Sequence, residues 1–364
     1  MKNTTCNRLY GTVGRFRRKA LRYGRSGTLL LIVLTAAVSL LPSCHKLEGE
    51  YNDGLYNYDI LWRTLDQRYC FFSYKGIDWD SLYDVHLAQL KRFRTSDEIF
   101  KTYCDLMANL HDGHVNLYAA GDMGRYWKWY TDYPRNFSPE VVERYYLGDG
   151  YRIAAGLSYT ILRPESDRKI GYIRYESFSD GFGEGNLISL FKYLEPCYGL
   201  IIDVRDNGGG NLDYAASLAG HFADETTHYG YIRHKTGPGH DDFSTPAPRY
   251  IEPSEHIRWL KPVVVLTNRH CYSATNTFVC MMRQLPNVTI LGDSTGGGGG
   301  LPFNAELPCG WTFRFSAAPM LDADGKQIEN GIAPDIFCEM DTVALRNGID
   351  SMIETATDRL QAAQ

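Results

Sequence analysis

From residue 169 onward, short apolar segments alternate with amphipathic segments, and this pattern constrains the fold more than any other feature. KIGYIRY, YGLIIDVR, KPVVVLTN and NVTILG are typical of buried strands, and NLISLFKYL and LDYAASLAGHF between them have helical periodicity. Apolar strands that alternate with helices predict a mainly parallel sheet covered by helices. The sequence therefore indicates an α/β core over residues 169–340, followed by a C-terminal helix over residues 341–364.

The segment before this core has a different character. Residues 44–118 are predicted to be mainly helical, and the clearest helix is TSDEIFKTYCDLMANL. Thr95 and Glu98 have the spacing of a capping box at its start. The helix ends at HDGH, and VNLY then begins a strand-like segment. Residues 119–168 are aromatic and polar, and they are predicted to form an irregular connecting segment.

The first 43 residues differ from the rest in composition. They contain eight basic residues and no acidic residue, and the apolar run TLLLIVLTAAVSLL leads into LPSC. This order is typical of an export signal, and the run is short for a membrane-spanning helix, which needs about 20 residues. LPSC resembles a bacterial lipobox, which would make Cys44 the lipid-bearing end of an exported cell-envelope lipoprotein. Cleavage without lipidation and an uncleaved anchor are the alternatives.

Charge and cysteine content narrow the classes of partner. Removal of residues 1–43, with eight positive charges, would change the formal net charge from −5 to −13. Such an acidic chain is a poor candidate for nucleic acid, because that affinity comes largely from Lys and Arg on phosphates. The seven cysteines after Cys44 lack metal-site spacing, so no metal ion is predicted. The pairing of a disulfide and the oligomeric state stay open.

Ser273 lies in VVVLTNRHCYSATNTF, where a wholly apolar strand gives way to a helix. Two interpretations are open. Serine is a favoured helix N-cap, since its hydroxyl accepts a hydrogen bond from an unpaired backbone N–H. A serine at a strand-to-helix turn is also suited to be a nucleophile, because the positive helix end faces the charge that develops beside it.

A glycine-rich segment, DVRDNGGGN, directly follows another predicted strand. Ligands of α/β sheets gather at the carboxyl ends of strands. Glycines there let backbone N–H groups approach a substrate closely, as an oxyanion hole requires, although a tight turn alone could also need them. No Gly-Lys-Ser/Thr follows this segment or GDSTGGGGG, so neither is a phosphate loop.

An ordered set of motifs resembles a known family. GYIRYESFSDGF, GLIIDVRDNGGGN, VVVLTNRHCYSATNTF, ILGDSTGGGGG and IENGIAPDI resemble the core of the tail-processing serine peptidases and their relatives around the tricorn protease. The resemblance covers residues 55–118 and 169–338. It implies a crotonase/ClpP-like peptidase core with an N-terminal helical subdomain, a peptide or protein substrate, no cofactor, and Ser273 as nucleophile.

The resemblance also implies which group acts as base. Tail-processing members use a lysine in a segment resembling GxxTxGKG, and Gly298 stands in its place here. The tricorn-like branch uses a histidine in a segment resembling LxDGHxxL, and the matching LHDGHVNL points to His114. A histidine can accept the serine proton and pass it to the leaving amine. His111 is the nearby competitor, and this HxxH pair alone is weak evidence for zinc.

Two acidic residues are further candidates. The branch uses a glutamate in a segment resembling IExxGxxPD, which is Glu329 here. It would orient the histidine system or hold the amino end of the substrate, and a surface hairpin carboxylate is the alternative. Gly113 stands where the tricorn protease has a relay serine. Asp112 is a candidate partner of the histidine, or a cap for the turn after the preceding helix.

Backbone groups complete the site that the resemblance implies. The oxyanion donors would be the N–H groups of Gly208 or Gly209 and of Ala274. The interval of residues 119–168 is too short for the PDZ domain that tail-processing members carry there. The predicted function is peptide hydrolysis through an acyl-enzyme. The alternatives are a non-catalytic lipoprotein that binds apolar ligands or peptides on the same scaffold, and an esterase for small acyl groups.

Overall fold

The structure, a computed structural model, describes residues 53–92 and 95–362. Cys44 and the predicted signal segment lie outside the described residues. The first part is helical, as predicted, with α1 (Gly54–Arg68), α2 (Phe72–Lys75), α3 (Trp79–Leu90) and α4 (Ser96–Ala108). The capping box of α4 is present, because Thr95 and Glu98 each accept the backbone N–H of the other with a side-chain oxygen.

A largely parallel sheet of seven strands forms the α/β core, in agreement with the apolar segments. Its strands are β3 (Arg152–Ala154), β4 (Leu157–Leu162), β5 (Ile170–Tyr175), β6 (Gly199–Asp203), β9 (Val263–Thr267), β10 (Val288–Gly292) and β13 (Ile336–Phe337). They lie in the order β13-β10-β9-β6-β5-β4-β3. The five strands from β13 to β5 in this order run parallel to one another. β4 is antiparallel to β5, and β3 is antiparallel to β4.

A second sheet is antiparallel, and only its first strand is indicated by the sequence, through VNLY. Its strands are β1 (Asn116–Ala119), β2 (Asp122–Arg125), β7 (Thr227–Ile232), β8 (Ala247–Ile251), β11 (Gly300–Glu306) and β12 (Thr312–Asp322). The order is β2-β1-β12-β7-β8, and β11 also pairs with β12. The N-terminal helices pack on this sheet through Tyr103 and Leu106, which share a core with Phe313 and Phe315.

The segment 119–168 is more regular than predicted. It contains α5 (Lys128–Thr131), α6 (Pro139–Val141), the π-helix Val142–Leu147 and the strands β2, β3 and β4. All six residues of β4 pair with β5. The local pattern mixes Tyr, Ser and Thr with apolar residues, so the order of this segment comes from pairing with a distant strand rather than from its own periodicity.

Three helices cover one face of the parallel sheet. They are α7 (Glu184–Leu194), α8 (Leu212–Gly220) and α9 (Ala274–Met282). Leu190, Leu218 and Val279 from these helices pack in one core with Ile202 and Val265 from the sheet. In residues 53–92 and 95–362, no helix combines the length and apolar character needed to cross a membrane. The seven cysteines of these residues are free thiols.

The C-terminal segment forms two helices instead of the single helix predicted. These are α10 (Thr342–Arg346) and α11 (Ser351–Ala362), and Gly348 between them has a φ of 77°. Asp350 accepts the N–H groups of Met352 and Ile353 at the start of α11. It also forms a fully buried ion pair of 2.9 Å with Arg205. The break therefore brings a carboxylate to the arginine that follows β6.

Candidate active site

Ser273 lies in a strand-to-helix turn with an unusual backbone. It follows β9, directly precedes α9, and has φ and ψ of 58° and −119°. Few residues other than glycine adopt positive φ, so the surrounding structure must hold Ser273 in place. Its side chain makes no capping hydrogen bond to α9, which is the role that the N-cap interpretation requires. Its Oγ instead lies 2.9 Å from Nε2 of His114.

The glycine turn lies against the serine because β6 and β9 are parallel neighbours that end at the same edge of the sheet. Gly209 has a φ of 100°, and an added Cβ would lie 2.6 Å from the Tyr272 carbonyl oxygen and 2.9 Å from the Ala274 nitrogen. Only glycine fits this approach. The Gly209 N–H donates to Asn207 Oδ1 (3.0 Å). Of the predicted oxyanion donors, Gly208 and Ala274 are therefore the two whose N–H groups stay available in the described structure.

Asn207, which is not among the residues predicted from the sequence, joins the turn to the serine loop. Its Oδ1 also accepts from Thr275 Oγ1 (2.6 Å), and its Nδ2 donates to the Tyr175 carbonyl (3.0 Å). The Asn207 carbonyl accepts the Tyr272 N–H (3.1 Å). The fully buried Asn207 thus provides hydrogen-bond partners for several groups at once, through its side-chain amide and its backbone carbonyl. Its place directly before the glycines, at the end of a buried strand, is the signal that could have identified it.

His114 reaches the serine from the other sheet. It lies just before β1, is 3% exposed, and donates its backbone N–H to Asp112 Oδ1 (2.7 Å). Burial lowers the pKa of the imidazole to about 4; Asp112 opposes this shift, and Arg314 and Lys75 add to it. The ring is therefore neutral near pH 7, and Nε2 can accept a proton. In the described structure its Nδ1 has no hydrogen-bond partner.

Tyr272 lies in the space that a relay serine in place of Gly113, or a base lysine in place of Gly298, would need. A Cβ at Gly113 would lie 2.5 Å from Trp129 Nε1 and 2.8 Å from the Tyr272 hydroxyl, so the relay serine of the tricorn protease does not fit. A Cβ at Gly298 would lie 2.6 Å from the Tyr272 ring. The lysine of the tail-processing arrangement is thus excluded there by packing. Tyr272 itself is stacked on Trp129, with ring centroids 4.0 Å apart.

A buried charge cluster lies beside the histidine. Lys75 Nζ is 2.7 Å from Glu329 Oε1 and 4.0 Å from Asp112 Oδ2. It also donates to the carbonyls of Leu110 and His111, each at 3.1 Å. Glu329 is 4% exposed, so it is not a surface hairpin carboxylate. Among the residues described, its hydrogen bond is to Lys75, and none joins it to His114.

Each charge of this cluster changes the pKa of the others. Burial and the charge of Asp112 raise the pKa of Glu329 to about 8, against the opposing effect of Lys75. Burial alone would raise the pKa of Asp112, but Lys75 and His114 hold it below its ordinary value. Burial would lower the pKa of Lys75, but the two carboxylates raise it. Lys75 lies 254 positions from Glu329 and in no recognisable motif, so the sequence offered no signal for it.

The competing histidine is placed differently. His111 is exposed, has a φ of 46°, and lies against Tyr126 with ring centroids 5.2 Å apart. Within the described ranges, no three His, Cys, Asp or Glu side chains are grouped so that they could hold a metal ion.

Open space lies on both sides of Ser273. A cleft of about 530 Å³ is lined by residues that include His114, Gly208, Trp127 and Arg314. A second pocket of about 250 Å³ also contains Ser273, and its other lining residues include Leu212, Ala274, Leu301, Pro302, Met320 and Arg314. Ser273 therefore lines both pockets, together with His114 and Gly208 in the larger one and with Ala274 in the smaller one.

Comparisons with known proteins find similar peptidases. The chain matches the models of Peptidase family S41 over residues 169–338 and of the Tricorn protease C1 domain over residues 52–106. It is 47% identical to a candidate peptidase from Parabacteroides merdae whose crystal structure is known; the match covers 85% of this chain and 98% of that chain, with a TM-score of 0.81.

More distant relatives share a part of the sequence or the fold. The carboxy-terminal processing protease CtpA of Bacillus subtilis is 27% identical over 184 residues, which are 50% of this chain and 37% of that protein. The chain thus spans little more than a third of this curated relative. The crystal structure of mature CPAF is 14% identical and shares the fold, with a TM-score of 0.65 over 86% of this chain and 97% of that chain.

Proposed function

The chain belongs to peptidase family S41, in its tricorn-like branch, and on this premise we propose that it is a serine peptidase with Ser273 as nucleophile and His114 as base. The substrate is a peptide or protein. One observation carries the proposal: Ser273 Oγ and His114 Nε2 lie 2.9 Å apart although the residues are 159 positions apart, one just before β1 and the other after β9. Such a contact, with the serine at positive φ, is the expected geometry of an activated nucleophile.

The reaction follows from the positions of these groups. As Oγ attacks the scissile carbonyl carbon, Nε2 takes its proton. The carbonyl oxygen becomes negative, and the N–H groups of Gly208 and Ala274 and the positive end of α9 stabilise it. Collapse of this intermediate breaks the C–N bond, and His114 returns the proton to the leaving amine. Water then hydrolyses the acyl-enzyme by the same route.

The buried charges serve the base in this mechanism. When His114 takes the proton it becomes a cation, and the nearby carboxylate of Asp112 stabilises that state. Lys75 keeps Asp112 ionised, and Glu329 keeps Lys75 in position by their 2.7 Å contact. We therefore assign Glu329 to the support of Lys75 and Asp112 rather than to a direct bond with the imidazole.

A fluorophosphonate probe tests the proposal, because it reacts with activated serines. We expect the wild-type protein to be labelled at Ser273 and to cleave peptides, and a folded Ser273→Ala variant to do neither. An unlabelled, correctly folded wild-type protein would favour the non-catalytic binding lipoprotein. Fast hydrolysis of short-chain esters without any peptide cleavage would favour the esterase.

For its location, we propose an exported lipoprotein of the bacterial cell envelope, anchored by a lipid on Cys44. The basic and apolar order of residues 1–43 and the LPSC sequence support this proposal. We expect Cys44→Ser to move the protein from the membrane fraction to the soluble fraction, with unchanged hydrolysis by the folded domain. Tight membrane association of that variant would indicate an uncleaved anchor instead.

A further inference from the structure

Three polar side chains form a row across the antiparallel sheet. Asn116 on β1 is the direct cross-strand partner of Arg125 on β2 and of Arg314 on β12. Directly opposite residues of neighbouring strands project to the same face, so these three side chains share one face of the sheet. All three line the cleft that contains Ser273 and His114. Two guanidinium groups therefore flank an amide on the wall of the candidate active site.

The centre of this row is rigid. Asn116 is 1% exposed, its Oδ1 accepts from Arg125 Nε (2.5 Å), and its Nδ2 donates to the Gly113 carbonyl (3.3 Å). The Arg125 guanidinium lies over the Trp127 ring, 4.8 Å from the centroid. A buried amide on one side and an aromatic face on the other thus hold Arg125, and its two terminal nitrogens remain for a further acceptor.

The charges of the row are unbalanced. Neither Arg125 nor Arg314 has an ion-pair partner within residues 53–92 and 95–362. Of the described residues that line the cleft, Asp206 is the only acidic one, and it is already paired with Arg135 at 2.6 Å. The cleft wall therefore carries positive charge, in a chain whose formal net charge is −5.

Arg314 stands at the reacting centre itself. It lines both the cleft and the apolar pocket on the other side of Ser273. Its charge is one of those that lower the pKa of His114, which agrees with this proximity. A group bound by Arg314 would therefore lie within a few substrate positions of the scissile bond.

We propose that Arg125, Asn116 and Arg314 form a subsite that binds a carboxylate of the peptide substrate close to the scissile bond. The inference rests on the proposed peptidase function and names its substrate class: peptides with a carboxylate at a set distance from the cleaved bond. Guanidinium groups bind carboxylates through paired, charge-assisted hydrogen bonds, and the row offers two of them around a fixed amide. The carboxylate is either the free C-terminus of the peptide or an Asp or Glu side chain.

Binding to full-length Ser273→Ala protein tests the subsite without hydrolysis. The probes are short acetylated peptides in matched pairs: a C-terminal acid against its amide, and Asp against Asn at successive positions. Isothermal titration calorimetry measures each affinity. We expect the acid member of at least one type of pair to bind roughly tenfold tighter, since hydrogen bonds to charged groups are the stronger ones. The pair that shows the preference identifies the source of the carboxylate.

Substitution of the arginines shows whether the row is responsible. Arg314→Gln or Arg125→Gln, in the Ser273→Ala background, should reduce the preference to within about twofold. Arg249→Gln is the matched control, because this exposed arginine lies on β8 of the same sheet and does not line the cleft. It should leave the preference intact. Arg125 is exposed, so its variant keeps the test valid even if Arg314→Gln does not fold.

Equal binding of acid and neutral peptides in every pair would overturn the inference. So would the absence of binding by any peptide, or an acid preference that survives both arginine substitutions. Peptide cleavage by the wild-type protein is measured separately. An acid preference in binding without any cleavage would overturn the proposed function and leave the carboxylate subsite standing.

Discussion

The two halves of the candidate site are held by different forces. The nucleophile half, residues 207–210 and 272–274, is held by neutral groups, as in the bonds from Ser273 N–H to the Gly297 carbonyl (2.8 Å) and from Tyr272 N–H to the Asn207 carbonyl (3.1 Å). The base half, which contains Lys75, Asp112, His114 and Glu329, is held by buried charges. Close backbone approach therefore sets the geometry of one half, and electrostatics sets the proton affinity of the other. Substitutions in the nucleophile half should therefore disturb the geometry of the site, and substitutions in the base half should disturb its charges.

The largest effect is expected where the halves meet. His114→Ala and Ser273→Ala should each lower kcat by on the order of 10³-fold or more, because the two side chains act as one unit. For the same reason the double variant should be scarcely slower than either single one. Steady-state kinetics on folded proteins measures this cycle.

His111 provides the matched control for that cycle. His111→Asn keeps a residue that tolerates the positive φ of 46° at this position. Its activity should stay close to that of the wild type, because this exposed side chain is not part of the contact with Ser273. A well-folded His114→Ala protein with near-wild-type activity would remove His114 as the base and with it the distinction between the two halves.

Removal of the cation from the buried charge cluster should lower the stability of the folded protein. Lys75→Met leaves the buried, ionised carboxylate of Asp112 without its cation, and the free energy of unfolding should fall by about 3–5 kcal/mol. Lys75→Met combined with Asp112→Asn should recover part of this loss, since the second change removes the unpaired charge. Chemical denaturation measures both values.

An exposed ion pair of the same length is the control for Lys75. Lys101 and Asp105 are also 2.7 Å apart, with side chains 75% and 50% exposed. Lys101→Met should leave the stability essentially unchanged, because solvent-exposed pairs contribute little. Equal losses for Lys75→Met and Lys101→Met would show that the buried cluster has no special role.

The nucleophile half should instead be sensitive to a single added methyl group. Gly209→Ala adds a Cβ 2.6 Å from the Tyr272 carbonyl at a φ of 100°. We expect a loss of about 1–3 kcal/mol and a lower kcat, because the serine loop must shift. Gly208→Ala, one residue earlier, meets nothing within 4 Å and should keep the stability. Thermal unfolding of both variants decides this point, and the same loss in both would argue against a close approach at Gly209.

The last expected effect is a dependence on pH, and it belongs to the base half alone. Burial lowers the pKa of His114 from 6.5 to about 4, so the unfolded chain binds more protons here between these pH values. This contribution to stability is complete above pH 6.5 and is lost as the pH falls toward 4. The same shift should place the acid limb of kcat/KM well below pH 6, rather than near the value of an ordinary histidine. An acid limb of kcat/KM at pH 6.5 would contradict a His114 imidazole that burial keeps neutral. So would a pH dependence of stability that stays the same in His114→Gln.

Much of the α/β core could be predicted because its signals are local. Apolar strands, helical periodicity and glycines at strand ends are contained in short segments, and they indicated the parallel sheet and the position of Ser273 where a strand ends. The ordered motifs also led to His114, and the structure brings these two residues into contact. Their catalytic roles are our proposal.

The antiparallel sheet could not be predicted in the same way. Strands such as β8 (Ala247–Ile251), with four exposed residues, have no clear alternation of apolar and polar side chains. Their order depends on pairing with segments far along the chain. For the same reason, the segment 119–168 was expected to be irregular although β4 is fully paired.

The amino-acid sequence by itself determined the α/β core, the strand-to-helix turn of Ser273 and the family, because each follows from the order of residues within short segments. Tertiary structure alone decided the contact of Lys75 with Glu329 and the row of Arg125, Asn116 and Arg314. A buried charge is stable only beside its partner, and a cross-strand row exists only in one register. Both conditions depend on which distant segments meet, and no local pattern contains that information.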